Sequence, residues 1–127
     1  MSQHPSSLII IHFLTDAHAF NFDDSLVNQI KEVIGSETNI LEMDNFSDAV
    51  TLSYASDLVK SEKLAIILTG EESATLGKAS TILNQTIRHQ NLQLLALNDI
   101  QATKPFMIRM KGKIINRNEL NKEIEKY

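Results

Sequence analysis

Four apolar runs recur along the chain at wide, regular spacing: SLIIIHFL from Ser7, TNILEMD from Thr38, KLAIILTG from Lys63 and LQLLALN from Leu92. Each is rich in isoleucine or leucine and alternates little with polar residues. Near-continuous apolarity is what a strand covered on both faces requires, and that is the habit of parallel sheets. The segments between them change to a helical period. The first places Leu26, Val27, Ile30, Val33 and Ile34 on one face, opens at Asn21 or Asp23 as N-cap and stops at Gly35. The second repeats Val50, Tyr54 and Leu58 every four residues, with Ala55 and Val59 widening the stripe and Asn45 or Ser47 as cap. The third presents Leu76, Ala79, Leu83 and Ile87 behind Ser73 as cap, with Gly77 inside it for close packing on the sheet.

Strand and helix alternating in this way predict right-handed βαβ units on a mostly parallel sheet. After the fourth run the pattern shifts. Pro105 opens FMIRMKGKII, where Phe106, Ile108 and Met110 alternate with Met107, Arg109 and Lys111, the pattern of a half-exposed edge strand with a bend at Lys111-Gly112. A short charged helix with Leu120 and Ile124 as its contacts closes the chain. The expected fold is a single three-layer α/β sandwich over residues 1–127, flavodoxin-like or Rossmann-like, with a C-terminal edge strand and helix. The tail also resembles the closing half of a thioredoxin-like fold, which is the alternative.

Composition narrows the classes. A chain of 127 residues buries a real core without staples. It has no cysteine, which removes disulfides, thiolate metal sites and thiol chemistry and fits a reducing, cytoplasmic setting. The N-terminus lacks the basic start of a signal peptide, and no run is long enough to span a bilayer. A net charge of −4 disfavours bulk attraction to nucleic acid or an anionic membrane. Yet between Lys104 and Asn118 every charged residue is basic.

In open parallel sheets ligands bind beyond the carboxyl ends of the strands. Three loops therefore form the candidate pocket: Thr15, Asp16 and His18 after the first strand, Thr69, Glu71 and Ser73 after the third, and Asn98 and Asp99 after the fourth. Asp16, His18 and Glu71 would converge if the first and third strands are neighbours. His12, within a strand, reads as a buried histidine with one ring nitrogen hydrogen-bonded. Asp16 and His18 are two ligands at most, too few for a metal without a third from Glu71, Glu72 or Asp99. GEESATLGKAS fails as a phosphate loop because six residues separate its first glycine from Gly-Lys and Ala79 follows Lys78. A histidine on the first strand and a Leu-Thr turn after the third resemble, in layout, the IIA domains of mannose-type phosphotransferase systems. Phe13 after His12 and Gly70-Glu71-Glu72 at the turn depart from that family's pattern, so no residue role carries over.

Arg109, Lys111 and Lys113 would share one face of an unbroken strand, either as edge protection or as a patch for an acidic partner, a nucleic acid or a second subunit; nucleic acid is disfavoured because the one nearby aromatic, Phe106, falls on the opposite face. With an acidic body, that strip suggests a homodimer. Three functions remain: a non-catalytic binding or interaction module, a small-molecule or cation sensor or carrier at the strand ends, and a small hydrolase or transferase using Asp16, His18 and Glu71. No reactive motif is complete, no cofactor is indicated, and the binding module ranks first.

Overall fold

Five strands align in one sheet among the residues that the computed structural model describes, which are 5–16, 24–34 and 36–126. They are β1 (Ser7–Phe13), β2 (Asn39–Asp44), β3 (Leu64–Gly70), β4 (Leu92–Ala96) and β5 (Lys113–Ile114). Their order is β2-β1-β3-β4-β5 and every neighbouring pair is parallel. This is the flavodoxin-like order, and it replaces the thioredoxin-like alternative. Among the described residues four α-helices lie between successive strands, α1 (Asp24–Lys31), α2 (Ala49–Val59), α3 (Ala79–Thr86) and α4 (Lys104–Arg109), and α5 (Leu120–Lys126) follows β5. No helix among the described residues is long and apolar enough to cross a membrane.

The apolar runs become strands because both faces of the sheet are covered. Ile9, Ile11 and Phe13 of β1 face a core shared with α2 and α3, against which Phe106 and Met107 of α4 also pack. Leu8 and Ile10 point the other way, into a core with Leu26 and Ile30 of α1 and Leu120 and Ile124 of α5. Each such fully buried side chain contributes about 1.5–3 kcal/mol of transfer free energy. β2 lies at the margin of the sheet and is only partly covered, which is why it alone carries a glutamate, Glu42, in mid-strand.

Four details differ from the sequence expectation, each for a physical reason. In α2 the inward residues are Ala55, Leu58 and Val59, while Val50 and Tyr54 face outward. The helix has apolar residues on more than one side, so spacing alone does not choose its buried face. Its N-cap is Asp48, whose side chain accepts the Thr51 N–H at 2.8 Å, rather than Asn45 or Ser47. The third helix begins at Ala79 and not behind Ser73, so Gly77 lies in the loop before it with φ +49°. A Cβ at Gly77 would stand 2.3 Å from the Asn45 carbonyl oxygen, so no larger residue fits there.

The fourth difference concerns the tail. FMIRM is helical, not extended: Pro105 occupies the first turn of α4, where the missing N–H leaves no bond unmade. Arg109 therefore ends a helix, Lys111 is a left-handed turn residue with φ 56°, and Lys113 is in β5. They share the edge of the sheet but not the face of one strand. The edge strand itself is present, shortened to two residues. Asn21, Asp23 and Gly35, the expected ends of the first helix, lie outside the described residues.

Candidate functional site

Strand order makes β1 and β3 neighbours, with Phe13 opposite Gly70, so the loops beyond them meet as expected. Gly70 takes φ +138° because its Cβ position is filled: a Cβ there would lie 2.2 Å from the Phe13 carbonyl oxygen. Directly after it, the Glu71 N–H donates to that same oxygen at 2.9 Å. The Glu71 carboxylate then folds over the first loop and accepts the Thr15 N–H at 2.9 Å. Thr15 and Glu71 are thus joined, but by a bond that caps a turn.

Two asparagines perform one task on either side of this crest. Asn45 follows β2, is 1% exposed, accepts the Leu14 N–H on Oδ1 at 2.9 Å and donates Nδ2 to the Leu14 carbonyl at 2.9 Å. The same Nδ2 donates to Thr75 O at 2.8 Å, and the Asn45 carbonyl accepts the Lys78 N–H at 2.8 Å. Beyond β4, Asn98 repeats the pattern on Gly70: the Gly70 N–H donates to Oδ1 at 3.1 Å, and Nδ2 donates back to the Gly70 carbonyl. Each side-chain amide acts as a peptide group and continues the ladder past the point where the strands separate. A buried backbone group left without such a partner would cost about 1–3 kcal/mol.

His12 is 8% exposed and its Nε2 lies 2.8 Å from Glu42 Oε2 across β1 and β2. The hydrogen-bonded interior histidine is as expected; its partner was the signal missed, a lone glutamate in an apolar run. Asp16 and Ser73 are exposed and Thr69 is half-buried at the end of β3. His18 lies outside the described residues. Among the described residues, no group of three or more histidines and carboxylates could hold a metal ion.

The concave surface lies elsewhere, at the β4–β5 side of the sheet. A cleft of about 560 Å³ opens between the end of β4, α4 and β5. Ala96, Ile100 and Met107 line it with apolar surface, joined by Ile108 from α4 and Ile114 from β5. Those two isoleucines are 79% and 58% exposed. Polar groups sit at the rim: Asn98 and Asp99 from the third candidate loop, Lys104, and Lys111 from the basic segment. Lys104 Nζ is 3.9 Å from Asp99 Oδ2. The cleft therefore unites one candidate loop with the basic edge, and leaves Thr15 and Glu71 at the crest.

The turn that shapes this cleft is unusual in residue choice. After α4 the Gly112 N–H donates to Met107 O at 2.7 Å and the Lys111 N–H to Ile108 O at 3.4 Å, the paired bonds of a Schellman ending. Glycine normally fills the left-handed position of that motif, but here it is Lys111. The glycine stands one place later, where a Cβ would meet Met107 Sδ at 2.6 Å and the methionine side chain would have to shift. Ile108 and Ile114 escaped the sequence reading because their exposure depends on a helix and a two-residue strand where one longer strand was expected. No family model matches the chain, and no curated protein matches it either.

Proposed function

We propose that the chain is a non-catalytic binding and interaction module, and that the cleft between α4 and β5 is its recognition surface. One observation carries this reading: two isoleucines stand exposed in the lining of an open apolar cleft with a cationic rim. Exposed apolar surface gathered in one concave place marks a contact site, whereas single scattered residues do not. The crest, by contrast, spends Asn45, Asn98 and Glu71 on the backbone. That use of Glu71 weighs against a hydrolase or transferase built on Asp16, His18 and Glu71. The cysteine-free composition supports the cytoplasm as its location.

A second reading places a small amphiphilic molecule in the same cleft, favoured by its volume, which falls in the range of about 300–1,000 Å³ usual for small-molecule sites. Anilinonaphthalene sulfonate, an apolar anion, tests the surface itself. Its fluorescence should rise with the wild-type protein, fall several-fold with Ile108→Glu and Ile114→Glu combined, and stay unchanged in Glu71→Gln. Equal dye binding by the cleft variant would overturn the assignment.

A further inference from the structure

We propose that the protein assembles with itself head to tail, the outer stripe of α2 in one copy seated in the α4–β5 cleft of the next. This rests on the reading of that cleft as a recognition surface, and names its partner. Among the described residues the exposed large hydrophobic side chains are Phe46, Val50, Tyr54, Ile108 and Ile114. By their place in the fold they fall into two groups. Ile108 and Ile114 line the cleft, while Phe46, Val50 and Tyr54 recur every fourth residue from the turn before α2 into its second turn. Val50 is 79% exposed and Tyr54 49%, so about half or more of each side chain is open to solvent. A helix stripe of such spacing is the form in which helices enter apolar grooves, and tyrosine is a favoured anchor there.

Charge distinguishes the two patches and matches them to one another. Asp44 accepts the Phe46 N–H, Asp48 caps α2, and Asp57 lies one turn beyond Tyr54, with Lys60 as the cation facing it at 3.9 Å. Around the cleft the balance reverses. Lys104, Arg109, Lys111 and Lys113 stand at that edge against Asp99 and Glu123. Residues 104–118 hold five of the chain's 12 basic residues and no acid. Opposite potentials on two apolar patches favour their mutual contact and disfavour the contact of either with itself.

Position separates the two patches. α2 packs against α3, β1 and β2, and α4 and β5 lie beyond β4, so the two patches are set apart across the strand order. The proposed pairing joins unlike patches head to tail, so it repeats from copy to copy into a ring or an open chain.

The test uses variants that each block one patch at an exposed position. Tyr54→Glu, with Val50→Glu as an independent second choice, blocks the stripe; Ile108→Glu with Ile114→Glu blocks the cleft. Sedimentation of the wild type should show a mass that rises with protein concentration beyond a dimer and falls at high salt. Each blocked variant should be monomeric with unchanged circular dichroism. An equimolar mixture of stripe-blocked and cleft-blocked proteins should give a heterodimer and nothing larger, since one good patch remains on each. A wild type that stays monomeric, a dimer that survives either block, or a mixture that stays monomeric would each overturn the proposal. Dye binding separates the two claims: a monomeric wild type that still binds dye at Ile108 and Ile114 removes only the self-assembly.

Discussion

The crest over β1 and β3 and the margin at β4 and β5 both stand at the carboxyl ends of parallel strands, where such folds bind ligands, yet they are built in opposite ways. At the crest, polar side chains turn onto the backbone. Glu71, Asn45 and Asn98 each close a backbone donor or acceptor, and Gly70 lets two chain segments touch. At the margin, apolar side chains turn outward, a two-residue strand leaves its flank open, and a lysine is held in a left-handed turn. Polar residues at a strand end therefore do not mark a binding site by themselves. What matters is whether the fold has already used their hydrogen bonds.

The contrast is open to attack where it is strongest. Gly70→Ala should destabilise the protein by about 3–4 kcal/mol in chemical denaturation, since it adds both positive-φ strain and a clash with backbone. A loss under 1 kcal/mol, on the scale of an ordinary exposed substitution, would mean that the crest is not locked. Asn45→Ala should cost about 2–3 kcal/mol by leaving the Leu14 amide and carbonyl without partners. Asn45→Asp should cost a similar amount, because a carboxylate cannot donate to Leu14 O or Thr75 O.

At the margin the sign should reverse. Lys111→Gly relieves the left-handed turn and should stabilise the fold by about 1 kcal/mol, while weakening binding of an anionic dye. Stability and binding moving in opposite directions is the signature of a residue kept for contact; if both fall, Lys111 is structural. The smallest effect concerns the α2 cap. The Thr51 backbone N–H, and after it the Thr51 side chain, hold the Asp48 carboxyl below its ordinary 3.8. A depressed carboxylate stabilises fully above its unfolded value and loses that contribution as pH falls through the lower native value. Asp48→Ala should accordingly lower Tm by a few degrees at neutral pH and leave it unchanged at the acid end.

The sheet was legible in the sequence because burial on both faces forces whole runs to be apolar, and the four main strands sit inside those runs. Leu120 and Ile124 likewise announced the inner face of the last helix. The tail was not legible, since over the five residues FMIRM a strand period and a helix period select overlapping residues. Phe106, Met107 and Met110 meet the core as a helix requires. Nor was the outward stripe of α2, because spacing defines a face without saying what lies opposite it. The role of Asn98 on Gly70 joins residues 28 apart in the chain, and that of Asn45 on Leu14 residues 31 apart. No local pattern encodes either.

The most direct test of the account follows two methionine methyl groups by NMR while anilinonaphthalene sulfonate is added to the Tyr54→Glu protein, which should be monomeric. Met107 lies in the cleft wall, and Met43 is buried near the carboxyl end of β2, beside the crest. If recognition resides at the margin, the Met107 signal shifts progressively with dye and the Met43 signal stays in place. A shift of Met43 with Met107 unmoved would put the binding surface at the crest and contradict the account.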